Sequence, residues 1–398
     1  MLRCSRRQWD PQMDQQADQK PAKERTIFEV TVDHFLTPIK EYMDDPDVAE
    51  IMINAWDEIY VEKQGKLTLT GAKFADSGAM LAAVNNVLQY TGKRMDPMHP
   101  LIDSRLPDGS RVHVVLAPLC RAGTTMTIRK FAKKMFDADN LTKIGTWTAE
   151  AKEYIELMVR AEKNILVAGG TSSGKTSLLN VLSTFVPNHQ RIVTIEDSAE
   201  LELQQDHVVI LEARMPDRWG RGGVNISELF RSSLRLRPDR VIIGEVRGGE
   251  AMDMIQAMTS GHAGSMSTLH ANTALSTLNR LETLAMMNPI DLPLHALRSQ
   301  IASAIDMIVL VTRFNDGRRC LTEIAEVLPL DDNGQYQTHP MFEYKLVGED
   351  GKKGIGTLQW TGIKSIFTDE PKIRVLRDSW NLTKGIFETD TEKGEGSY

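Results

Sequence analysis

The chain has 398 residues, 41% of them apolar and 25% charged, and 47 Lys and Arg stand against 54 Asp and Glu, a net charge of −7. At about 150 residues per domain that length allows two or three domains, and the composition excludes a collagen-like, a disordered or a disulfide-framework protein. A mildly acidic balance speaks against a general nucleic-acid coat, whose affinity rests on neutralising phosphates.

Residues 1–25 are polar and read as a flexible tail. The start, MLRCSRRQWD, is basic but has no apolar h-region, so it is not read as a signal peptide. Cys4, Cys120 and Cys320 are far apart and form no CxxC pair, which fits free thiols in a reducing cytosol and implies no zinc site. No apolar run approaches the ~18 residues of a membrane span. A cytoplasmic protein is expected, with any membrane role exerted through partners.

Residues 26–131 read as a small α/β domain. Glu50–Asn54 and Glu58–Leu67 are expected strands, with Gln64-Gly65 as a turn in or after the second. Met80, Val84, Val87 and Leu88 recur at helical spacing and form one face, closed by Gly92. Asp108-Gly109 between Asp103–Leu106 and Arg111–Ala117 signals a hairpin, and Thr124–Phe131 is a further β-rich run. Residues 132–147 lose periodicity and are expected to be an interdomain linker.

Thr148 is placed to cap a helix running to about Arg160. Strands and helices then alternate, which argues for a parallel sheet wound by crossover helices over 148–347. Ile165–Ala168, Arg191–Ile195, Val208–Leu211 and Val241–Gly244 are the expected strands, and Met307–Thr312 with Leu321–Val327 a late hairpin. After Val347 the chain turns Gly- and Lys-rich, so 348–398 is set apart as a C-terminal extension ending in a disordered tip, ETDTEKGEGSY.

The strongest signal is Gly169-Gly170-Thr171-Ser172-Ser173-Gly174-Lys175-Thr176, a full match to G-x-x-x-x-G-K-[ST] between an apolar strand and a helix starting at Ser177. Gly169 and Gly174 let the backbone approach phosphate oxygens, and successive N–H groups point inward at a helix N-terminus. Lys175 is suited to reach the β- and γ-phosphates, and the Thr176 hydroxyl to take a Mg²⁺ position. ATP and Mg²⁺ are the expected cofactors.

Hydrolysis also needs carboxylates. One strand delivers Glu196 and Asp197 at its C-terminal end, and another delivers Glu245, where ligands of open α/β sheets bind. His262 and His270 lie in a stretch of small residues, Gly261–Asn272, that opens a helix, and a histidine near the γ-phosphate can couple nucleotide state to movement. Eight arginines fall between Arg214 and Arg247. They read either as a solvated helical face or as an intersubunit surface that supplies charge to a neighbouring nucleotide.

Taken together these blocks resemble the type II/IV secretion ATPase superfamily. Ile195–Leu201 looks like its Asp box, Leu236–Arg247 like its atypical Walker B strand, and Gly261–Asn272 like its His box. The motifs are most similar to those of the CpaF-like ATPases of Tad (type IVc) pilus machines, with conjugative type IV secretion ATPases next. The resemblance covers roughly Thr31 to Val327. It implies a homohexamer with an N-terminal α/β domain and a C-terminal RecA-like domain, nucleotide held between the two, working with inner-membrane platform proteins. It also implies that Glu245 activates water while Glu196 and Asp197 organise the metal water, the roles of Glu196 and Glu245 being exchangeable. By the same resemblance Arg111 and Arg129 match arginines that reach the phosphates, and His262 and His270 match the His-box histidines. Ser173 replaces the family's usual glycine, which is tolerable if its backbone is not left-handed. The competing readings are a conjugative DNA-transfer ATPase, a hexameric nucleic-acid motor, opposed by the −7 balance, and a nucleotide-gated scaffold without turnover.

Overall fold

A computed structural model describes residues 27–63, 65–130, 137–216, 220–290, 292–350, 353–379 and 381–387. The N-terminal tail, residues 132–136 of the expected linker and the ETDTEKGEGSY tip lie outside the described residues. The chain divides into two compact units, Met1–Lys133 and Lys134–Tyr398.

In the first unit six strands form one antiparallel sheet: β1 (Val48–Ala55), β2 (Glu58–Lys63), β3 (Lys66–Leu69), β4 (Leu101–Arg105), β5 (Arg111–Val115) and β6 (Thr125–Arg129). Their order is β3-β2-β1-β6-β5-β4. Alternation at period two sends Ile51 and Ile53 of β1, Val112 and Val114 of β5, and Met126 and Ile128 of β6 into a single core. The helix Ser77–Tyr90 adds Met80, Ala83, Val84, Val87 and Leu88 to it. Asp76 caps that helix by accepting from the Ala79 N–H at 2.8 Å. Gly109, at φ +88°, makes the turn between β4 and β5, as the Asp-Gly pair predicts.

The second unit has nine strands: β7 (Ile165–Gly169), β8 (Ile192–Glu196), β9 (Val208–Glu212), β10 (Arg240–Ile243), β11 (Met266–Leu269), β12 (Met307–Arg313), β13 (Arg319–Leu328), β14 (Gln337–Asp350) and β15 (Lys353–Trp360). Their order is β15-β14-β13-β12-β7-β11-β10-β8-β9. Pairing is parallel from β9 through β12 and antiparallel from β12 through β15. β7 separates two cores: Ile165 and Val167 enter one, Leu166 and Ala168 the other. A strand buried on both faces reads as the continuous apolar run seen in the sequence. The Thr148 side chain caps the helix Ala149–Arg160 as expected.

The structure corrects three sequence expectations. The expected linker ends early, because Asp137 caps a helix, Ala138–Lys143, and Leu141 and Trp147 are buried in the second unit's core. The Trp147 indole N–H donates to the Ala138 carbonyl at 3.1 Å, and its ring stacks on Phe185. The C-terminal extension is no appendage. β14 and β15 continue the sheet, and Phe367, Ile373, Ile386 and Phe387 share a core with Tyr154. The buried Glu326 carboxylate binds this segment by accepting from the Tyr154 and Ser365 hydroxyls and the Ile366 N–H.

The third correction concerns Arg240, read as part of a solvated or intersubunit run. It opens the buried strand β10 and is 1% exposed. Its guanidinium donates to Gln190 Oε1 (2.8 Å), Gly264 O (3.2 Å) and Val159 O (2.9 Å). Burial pushes its pKa down to about 10, which leaves it charged at neutral pH. A Cβ on Gly264 would lie 1.5 Å from Arg240 Nη1, so only glycine admits the guanidinium there. Arg240→Ala leaves a cavity and takes a donor from three acceptors, the Gly264 and Val159 carbonyls among them buried. It is expected to lower the unfolding free energy by about 3 kcal/mol or more, read as a fall in the denaturant midpoint.

Candidate nucleotide site

The site grows from the C-terminal ends of four adjacent parallel strands. β7 leads into the loop Gly169–Gly174, and the helix Lys175–Ser183 leaves it. A Cβ on Gly169 would fall 2.3 Å from the Val311 carbonyl and 2.6 Å from Ser173 Oγ, so the position admits no side chain. Gly174 is left-handed at φ +97°. The replaced glycine is tolerated because Ser173 is not left-handed; the residue that is left-handed is Ser172, at φ +56°. The Ser173 hydroxyl is buried with no hydrogen-bond partner. Thr171 and Ser177 are exposed, and Thr176 is half-buried on the first helical turn.

Lys175 is buried, and its Nζ donates to the Gly170 carbonyl at 3.0 Å. The Ser173 N–H also approaches that carbonyl, at 3.4 Å. Lys175 Nζ lies 3.3 Å from His270 Nδ1 and 3.4 Å from Nε2, and His270 Nε2 lies 2.9 Å from Glu245 Oε1. A carboxylate only accepts, so the proton between His270 and Glu245 sits on Nε2. Burial and the Lys175 charge hold the imidazole below its usual pKa, so it is neutral at pH 7. Arg247 grips the other Glu245 oxygen through Nε (2.9 Å) and Nη2 (2.5 Å), and reaches Asp197 Oδ2 through Nη1 at 2.8 Å.

Lys175, His270, Glu245, Arg247 and Asp197 thus form one connected line. β8, β10, β11 and β7 deliver its members side by side, which is the placement expected for ligands of open α/β sheets.

Two expected site residues are placed differently, and two others lie in the first unit, where they were expected. The Glu196 carboxylate is buried, and it accepts from the Glu200 N–H at 2.9 Å and the Leu201 N–H at 3.1 Å. These two N–H groups belong to the loop after β8, not to the line through Glu245. His262 precedes β11, whereas His270 follows it. That strand of four residues spans about 13 Å, which sets His262 at the end of the sheet away from the phosphate loop. Arg111 and Arg129 lie in the first unit, opposite each other across β5 and β6.

Two functional placements escaped sequence reasoning. Arg247 was one of eight arginines with no distinguishing mark, and its partners turn out to be carboxylates of its own chain. Arg319 donates through Nε to the Ser172 carbonyl at 3.1 Å; nothing in its local sequence points to the loop 147 residues earlier.

The family model of type II/IV secretion system proteins matches residues 34–358. The type IV secretion system protein PtlH of Bordetella pertussis is 35% identical over 315 residues, covering 72% of this chain and 91% of its own. A putative conjugal transfer protein of Mycobacterium tuberculosis is 34% identical over 282 residues, covering 69% of this chain and 80% of its own. In fold the chain is similar to the X-ray structure of the Legionella pneumophila ATPase DotB, with a TM-score of 0.52, 19% identity and coverage of 79% of this chain and 84% of that one. The match runs beyond Val327, where the motif resemblance ends, and into β15. The chain belongs to the type II/IV secretion system protein family, and it is a RecA-like ATPase of that family.

Proposed function

We propose that this ATPase is a homohexameric motor that drives secretion or pilus assembly through inner-membrane platform proteins. The observation that carries the reading is the line Lys175–His270–Glu245–Arg247–Asp197, which joins the phosphate loop to two carboxylates. In the proposed reaction Glu245 takes a proton from water as the water oxygen attacks the γ-phosphorus. The bond to the β–γ bridging oxygen breaks, and ADP leaves with that electron pair. Lys175 and the loop N–H groups balance charge on the phosphates, and His270 holds Glu245 in place while sensing Lys175.

Thr176 offers a hard oxygen donor beside the loop. Among the described residues no cluster of three His, Cys, Asp or Glu side chains could hold a metal. A hydroxyl plus phosphate oxygens and waters suits Mg²⁺, which rarely uses an all-protein cage. When bound, Mg²⁺ would neutralise charge on the β- and γ-phosphates. Glu196 keeps the loop after β8 in place, and Glu245 is the base. Arg111 and Arg129 of the first unit would reach the phosphates, the role the family resemblance implies.

Relatives named for type IV secretion and conjugal transfer support a type IV system, with or without DNA transfer, over a Tad pilus. No helix among the described residues is long and apolar enough to cross a membrane, so attachment would come through partners. Light scattering on the purified full chain with Mg-ATP should give six copies. A monomer with full turnover would overturn the hexamer, and turnover raised by single-stranded DNA in a salt-sensitive way would favour a nucleic-acid motor. Neighbouring genes for pilins would favour the Tad reading, a relaxase the conjugative one.

A further inference from the structure

The phosphate loop is gripped from one side by the β12–β13 hairpin. The Val311 carbonyl of β12 fills the space a side chain at Gly169 would need. Arg319, the first residue of β13, lies along the last glycine of the loop: a Cβ on Gly174 would fall 3.2 Å from Arg319 Cδ. The Arg319 Nε–H donates to the Ser172 carbonyl at 3.1 Å. The arginine's own backbone is fixed, since its carbonyl accepts from the Thr146 hydroxyl at 3.1 Å and its register partner is Arg313 of β12.

Ser172 is the residue on which this grip closes. A non-glycine residue in the left-handed region costs about 1–2 kcal/mol and persists only where its surroundings hold it. Among the described residues only Glu162, Ser172 and Arg237 are non-glycine with positive φ. In a trans peptide the carbonyl and the following N–H point in opposite directions. Holding the Ser172 carbonyl toward Arg319 therefore turns the Ser173 N–H the other way. That N–H faces the Gly170 carbonyl at 3.4 Å, the same oxygen to which Lys175 Nζ donates at 3.0 Å. The amide and the ammonium thereby share one acceptor, the Gly170 carbonyl.

We infer that Arg319 is a positioning residue for nucleotide binding: its guanidinium holds left-handed Ser172, and with it the loop conformation in which the Ser173 N–H and Lys175 gather at the Gly170 carbonyl. It acts through the loop and takes no part in proton transfer. The inference concerns nucleotide affinity alone, so it holds for a pilus or a secretion machine alike.

The test is calorimetric titration of the full chain with ADP and Mg²⁺, alongside turnover at saturating ATP. Arg319→Ala should weaken ADP binding about ten-fold, equivalent to about 1.4 kcal/mol, and raise KM similarly while kcat changes less than about two-fold. Arg319→Lys, which keeps a donor, should recover most of the affinity. The decisive arm uses Ser172→Gly, which removes the left-handed cost. In that background Arg319→Ala should weaken ADP binding less than about three-fold. Arg319 is exposed, so the thermal midpoint should hold; if Arg319→Ala does not fold, Arg319→Gln carries the same expectation. ADP affinity unchanged by Arg319→Ala overturns the inference. So does an equal loss with and without Ser172→Gly, because the guanidinium would then act on something other than Ser172.

Discussion

Replacing Lys175 by alanine is expected to abolish ATP turnover, with kcat/KM falling by at least about 10²–10³. The side chain is only 8% exposed, so its charge acts in a poorly screened setting where one donor is worth far more than in water. Nothing else in the loop supplies a mobile cation to the γ-phosphate. A second consequence separates this loss from a general disturbance of the fold. Lys175 is one of the causes that depress the His270 pKa, while Glu245 acts to raise it. Removing the ammonium should move the His270 pKa upward, as NMR titration of the imidazole would show. Phosphate release at the wild-type rate from purified Lys175→Ala protein would refute the assignment.

Glu245→Gln should leave ATP binding within about three-fold of wild type and lower turnover by about 10²–10⁴, the range of a lost general base. Glutamine keeps one oxygen, which serves either the His270 Nε2–H or Arg247 but not both, and it cannot accept the water's proton. The parallel variant, Glu196→Gln, decides between the two carboxylates. Glu196 accepts from the N–H groups of Glu200 and Leu201, so its amide should disturb the loop after β8 and cost turnover less. Rapid phosphate release by Glu245→Gln with an inactive Glu196→Gln would exchange their roles. Single-turnover measurement of phosphate release separates this chemistry from product release.

Much of this site was readable before any coordinates. The phosphate loop is contiguous, Gly169 and Gly174 answer local steric demands, and the strand and helix around it carry their own periodicity. Glu245 and Asp197 were readable for the same reason, since each follows an apolar strand. What stayed hidden depends on contacts between distant segments. β11 is only four residues and includes Ser267 and Thr268, both buried, so it shows no apolar run. The Thr268 hydroxyl is satisfied by the Gly244 carbonyl at 2.7 Å, a partner 24 residues away. Without that strand, His262 and His270 read as one cluster; with it, they part to opposite ends of a sheet. The Gly- and Lys-rich stretch after Val347 looked like the end of the fold. Its described residues belong to the paired strands β14 and β15, and the apolar anchors that prove its membership, Ile373, Ile386 and Phe387, are spaced too widely to show a period.

Arg240 bears on how the parallel sheet finds its alignment. Its three acceptors come from the end of the helix Ala149–Arg160, the residue two before β8 and the turn before β11, segments separated by up to about a hundred positions of chain. Hydrophobic strands such as Val241–Ile243 and Ile192–Ile195 would pair comfortably in several registers, because apolar contact is not directional. A charged guanidinium is far less forgiving: a slip of one residue turns it to the other face of the sheet, and any offset strands a cation in an apolar interior. The charge therefore penalises misaligned sheets more than it strengthens the correct one. Since its partners assemble only when all three segments have arrived, loss of Arg240 should chiefly hasten unfolding rather than slow folding.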